Sequence, residues 1–247
     1  MISLIRADIK RILRKPSYRL ILIICMVLIM IGALDARLGL WNGLTFVSSI
    51  SFLLTFIDTI LGITIFLAVY ADEFSSNSMQ CLIGRGISRF KLIASKLCNC
   101  IIITFMSYGL MALLVTILAL SMRADMNSME ASFIYASIFM RALKMLGFAT
   151  VAMIVLFAFR NIALATFVDV LLVTAADMIN NIFDIIPVIK FMHLENYFYS
   201  GAINCAEVDF LFGDGKQILF AILLFLILGA VSLLLSYMIF RKKELEF

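Results

Sequence analysis

Polar and apolar positions along this chain follow two different periods. Over residues 1–15 (MISLIRADIKRILRK), Ile2, Ile5, Ile9, Ile12 and Leu13 share one helical face, and Arg6, Lys10, Arg11, Arg14 and Lys15 take the opposite one. This pattern predicts an interface helix over 1–16, its apolar face in the acyl boundary and its cations toward anionic headgroups. Pro16 lacks an amide donor and disfavours helix at Lys15, so a turn is expected there. Beyond it the apolar residues run in blocks. Six stretches, at about 18–38, 46–71, 93–121, 137–159, 162–182 and 217–240, each approach the roughly 20 residues that cross a bilayer core. The first has no small-x-small cleavage site after it and reads as an uncleaved span. Only Arg160-Asn161 separates the fourth from the fifth, which predicts an antiparallel hairpin.

Two connecting segments carry further structure. In 72–96 (DEFSSNSMQCLIGRGISRFKLIASK), Ser75 and Ser76 can cap a short helix through about Ile83. Gly84 and Gly86 permit a turn, and Ser88 can cap the helix entering the third span. The segment from about Asn180 to Gly215 is only half polar. Its run Ile182, Phe183, Ile185, Ile186, Val188, Ile189, Phe191, Met192, broken by Pro187, is too apolar for a free loop and too short for another crossing. A re-entrant or interface-parallel helix is the economical expectation, its backbone covered by protein wherever it enters the bilayer.

Composition agrees with the pattern. Of 247 residues, 64% are hydrophobic and 15% charged, against about 25% charged in a soluble domain. The expected fold is an all-α polytopic membrane protein forming one domain over 1–247. Charge placement orients it. With the N-terminus inside, Arg6, Lys10, Arg11, Arg14, Lys15, Arg19, Arg85, Arg89, Lys91, Lys96, Arg160, Arg241, Lys242 and Lys243 lie on the cytoplasmic side, 14 of the 20 Lys and Arg. The positive-inside rule therefore places both termini in the cytoplasm. Topology accounts for the basic residues, and nucleic-acid binding gains nothing from the net charge of +4. The five cysteines are odd in number and mostly sit in apolar runs, so no disulfide framework is implied.

Charges inside spans are expensive and therefore informative. Counted from the cytoplasmic ends, Asp58 lies about 20 Å deep, Lys144 and Asp177 about 24 Å, and Arg141 about 28 Å. The shared depth predicts an ion-pair cluster of Lys144 and Arg141 with Asp177 and Asp58. Asp169, about 12 Å deep, has no partner at its depth. Such residues can line a polar path, or they can clip helices together and snorkel. Soluble-enzyme signatures are missing: there is no G-x-x-x-x-G-K-[ST] loop, no H-E-x-x-H and no G-x-S-x-G. The chain is not expected to be an enzyme or to hold a cofactor.

Asp72-Glu73-Phe74, followed by Ile83-Gly84-Arg85-Gly86-Ile87-Ser88-Arg89-Phe90-Lys91-Leu92, resembles the element between spans two and three of ABC-2-type transporter permeases. The small permeases of lantibiotic immunity and bacitracin resistance in the bacterial cell membrane are similar in size and layout. The resemblance implies a permease that pairs with a second, identical or homologous permease and with two separate ATPase subunits carrying Mg-ATP. It also implies export or extraction of an amphipathic peptide or lipid-like substrate. In that scheme the loop seats in the ATPase: Asp72 and Glu73 meet basic groups, Met79, Leu82 and Ile83 are buried anchors, and Arg85 and Arg89 pair with acidic groups or lipid phosphates. An autonomous ion-coupled transporter or channel using Asp58, Asp169 and Asp177 is the alternative. A membrane-embedded regulator is a third reading.

Overall fold

Pro16 divides the first two helices as its chemistry requires: α1 (Ile2–Arg14) stops before Lys15, and α2 (Pro16–Leu38) starts on the proline. The computed structural model describes residues 2–38, 43–75, 83–84, 86–122, 126–185, 198–212 and 215–242, where all regular structure is helical. After α2 come α3 (Gly43–Ser75), α4 (Arg89–Ser121), α5 (Ser128–Phe159), α6 (Ile162–Ile185), α7 (Tyr199–Phe212) and α8 (Lys216–Lys242). Local chemistry sets the boundaries. Gly86, at φ 85°, turns the chain and donates its amide to the Ile83 carbonyl at 2.9 Å. Ser88 then caps α4, its Oγ accepting the Lys91 amide at 3.4 Å. The Glu130 carboxylate reaches back to the Asn127 amide at 2.9 Å and starts α5 nine residues earlier than its apolar run suggested. Arg160, left-handed at φ 54°, ends α5, and Asn161 accepts the Leu164 amide at 3.2 Å to open α6. The tight hairpin is present.

Helices α2, α3, α4, α5 and α8 are each long and apolar enough to cross a membrane. The expected fifth stretch falls on α6, whose apolar part among the described residues is Ile162–Ala176. Asp177, Asn180, Asn181 and Asp184 interrupt the apolar residues of the rest of the helix. Helix α5 is the most enclosed of the five and packs against α3, α4, α6, α7 and α8. Helices α2 and α8 turn rows such as Leu20, Ile24, Ile31 and Leu219, Leu226, Leu234 outward, as lipid-facing surfaces do. At one end of the bundle an aromatic ladder joins α3, α5 and α8: Phe74 to Phe157 at 5.4 Å and Phe157 to Phe240 at 5.3 Å between centroids.

The expected re-entrant run falls only in part on described residues. Helix α6 runs on through Ile185, so Ile182, Phe183 and Ile185 belong to it, and residues 186–197 lie outside the described ones. Helix α7 packs against α5 and α8. Its Tyr199 hydroxyl donates to the Leu143 carbonyl, and Tyr199 meets Phe148 edge-on at 5.7 Å. Leu143 is about 23 Å along α5 from Ser128, so α7 begins at mid-bundle depth. Gly147 permits this approach, because a Cβ there would collide with the Tyr199 ring. Gly201, Ala202 and Ala206 are buried on α7, so close approach of small residues holds it, as between membrane helices generally.

Candidate functional site

The depth matching of intramembrane charges is realised in part at the centre of the bundle. Asp58 of α3 is buried, 6% exposed, and both its oxygens are engaged. Oδ1 accepts the Tyr108 hydroxyl of α4 at 2.7 Å, and Oδ2 accepts Arg141 Nη1 of α5 at 2.7 Å. Arg141 also donates to Thr55 Oγ1 and to Ser137 Oγ, each at 3.2 Å. Thr55 precedes Asp58 by three residues and Ser137 precedes Arg141 by four, so each helix presents its pair on one face. Glu207 of α7 adds an attractive field at Arg141.

A cavity of about 500 Å³ opens beside this cluster, lined by Thr55, Asp58, Thr59, Arg141, Lys144 and Thr174 with Phe56, Ile60, Met145 and Val173. Lys144 thus faces the same space as Asp58 and Arg141. The Asp177 side chain lies outside the described residues, though its position is one turn beyond Val173 and Thr174 on α6. Hydroxyls, one ion pair and apolar walls suit the polar end of an amphipathic molecule. No group of three metal-ligating side chains occurs among the described residues.

A second polar centre lies at the end of the bundle that carries α1. Lys96 Nζ of α4, 1% exposed, meets Asp8 Oδ2 of α1 at 2.5 Å. Asn99 Nδ2 donates to the same oxygen at 3.0 Å, and Arg11 lies 3.6 Å from Asp8 Oδ1. Next to it, Lys15 pairs with Asp72 at 2.6 Å, tying the α1–α2 junction to the end of α3. Arg89 Nη1 donates to the Phe240 carbonyl at 2.8 Å and the Arg241 carbonyl at 3.2 Å, with its guanidinium 5.5 Å over the Phe240 ring. Of the expected loop residues, Asp72 and Arg89 are therefore engaged within the chain, and Ile83 packs against its own core. Met79, Leu82 and Arg85, and the side chain of Glu73, lie outside the described residues.

Sequence reasoning missed Asp8, Asn99 and Tyr108, and read Lys96 only as a marker of topology. The available signal was Asp8, the single acidic residue on a basic helix. Asp169 of α6, for which no partner was expected at its depth, is 1% exposed, and its Oδ1 has no hydrogen bond among the described residues.

Long apolar helices around buried ion pairs define a multi-pass α-helical membrane protein. The chain belongs to the DUF2705 family, described as a protein of unknown function, which it matches over residues 19–245. A search of the curated proteins finds no match.

Proposed function

We propose that this chain is the membrane subunit of an ABC-2-type exporter, driven by a separate ATPase and moving an amphipathic substrate outward. The substrate we favour is an antimicrobial peptide, as in lantibiotic immunity. The carrying observation is how the two ends of the loop between α3 and α4 are tied. Asp72 binds Lys15 at the α1–α2 junction, and Arg89 binds the last carbonyls of α8. A force applied to residues 73–88 is therefore delivered to α1, α2, α3, α4 and α8 together. That suits an element which receives motion from an ATPase. The Asp58–Arg141 cavity, lined by hydroxyls, an ion pair and apolar side chains, suits an amphipathic cargo. In this reading α6 is the sixth crossing, both termini are cytoplasmic, and the location is the bacterial cell membrane. A second permease, identical or homologous, completes the pair.

Charge reversal at the loop tests the reading. Glu73→Arg should abolish co-purification of a P-loop ATPase subunit in mild detergent while leaving the fold intact. Recovery of the chain alone, with transport that persists after ATP depletion, would overturn it in favour of an ion-coupled transporter.

A further inference from the structure

Asp169 is the buried carboxyl group that neither polar centre uses. It sits on the inward face of α6, in line with the buried Ala165 and Val173, about 10 Å from the start of the helix. It is 1% exposed, its Oδ1 has no hydrogen-bond partner, and no salt bridge reaches it among the described residues. The helices packed around it offer no compensation at its depth. On α3, Tyr70 gives its hydroxyl to Met153 Sδ at 3.2 Å, and Asp58 is locked farther in by Arg141 and Tyr108. On α4, Lys96 is held by Asp8, and Cys100 is the electrostatic neighbour of Asp169. Helix α5 carries no ionisable residue between Lys144 and Arg160. On α7, Tyr199 is bonded to the Leu143 carbonyl and Glu207 acts on Arg141.

We propose that Asp169 is a proton-binding site: the bundle described here holds the acid, and the anion forms only when α6 separates from its neighbours and admits water. The physical ground is the cost of an uncompensated carboxylate in a dry interior, which far exceeds that of the neutral acid. A proton is the ligand that fits, because no group of three side chains able to hold a metal ion occurs among the described residues. The step is balanced. A proton from water adds to one carboxylate oxygen as α6 closes and returns to water as it opens. This site is independent of what powers transport, since an ATP-driven bundle and an ion-driven one can both carry it. Failure of the exporter reading would leave it untouched.

The test uses the full-length protein in phosphatidylethanolamine–phosphatidylglycerol vesicles. Infrared spectra at neutral pH should contain an un-ionised carboxyl band that disappears in Asp169→Asn. Should that variant not fold, Asp169→Glu serves, because its carbonyl stretch lies at lower frequency and the band should move. Opening is read as amide deuterium labelling over residues 162–176. In alkaline buffer, wild-type labelling should exceed that of Asp169→Asn by about tenfold, with Asp169→Glu behaving as wild type and all three alike in acid. An ionised Asp169 at neutral pH would overturn the proposal. So would equal alkaline labelling of all three proteins, or an acid band that vanishes on adding Na⁺ or K⁺, which would make this a cation site.

Discussion

Replacing Asp8 by Ala should detach α1 from the bundle. Lys96 is 1% exposed, and its ammonium group rests on Asp8 Oδ2 at 2.5 Å, an oxygen shared with Asn99. Removing one partner of a buried pair costs about 3–5 kcal/mol, because the remaining charge is stranded. Lys96 lies only about 10 Å from the start of α4, so its flexible stem can carry the charge partway to the interface. We therefore take the lower end, about 3 kcal/mol. For a chain of this size that lowers the melting temperature by about 6–12 °C. Lys96→Met in the Asp8→Ala background removes the stranded charge and should recover about 2 kcal/mol, a coupling expected only of side chains in contact. The assay is thermal unfolding of the four proteins in nanodiscs, with hydrogen exchange over residues 2–14 reporting release of α1. An Asp8→Ala protein melting within about 1 kcal/mol of wild type, or a double variant that merely sums the single losses, would refute the buried pair.

Other substitutions separate the remaining contacts. Gly147→Val should drive Tyr199 off α5 and cost about 1–3 kcal/mol, whereas Gly229→Ala, which meets nothing within 4 Å, should be neutral or slightly stabilising; thermal melts read both. Arg141→Gln takes the ion-paired partner from Asp58, leaving the Tyr108 hydrogen bond and the field of Lys144, and should cost about 3 kcal/mol. Tyr108→Phe removes a single hydrogen bond to a charged group and should cost about 1.5–3 kcal/mol by the same measurement. Asp72→Lys should change stability by no more than about 1 kcal/mol, since that pair is partly exposed, yet it should lower transport. Adding Lys15→Asp, which restores the pair in reverse, should recover the transport.

Much of this architecture was legible in the sequence wherever a local rule decided it. Pro16 broke the helix, Gly86 and Ser88 turned and capped the chain into α4, and Arg160-Asn161 closed the α5–α6 hairpin. Comparable depth brought Asp58 and Arg141 together, because helices that run side by side keep residues of similar depth at similar height. Three features were not legible, each for a stated reason. Glu130 reads as loop polarity in a one-dimensional pattern, while in space it closes a cap and extends α5. Lys96 satisfies the positive-inside count, which hid that its charge is spent on Asp8, 88 positions away in the chain. The docking of α7 depends on the missing side chain of Gly147 opposite the Tyr199 ring, a fit between positions with no periodic signature.

The exporter reading is tested most directly at Met79. A photoreactive amino acid there, in cells making the full-length protein, should cross-link to a subunit that carries an ATP-binding P-loop. The same probe at Ser48, toward the opposite end of α3, should not. Equal labelling from both positions, or no ATPase adduct from Met79 while the purified chain alone moves substrate on an ion gradient, would contradict it.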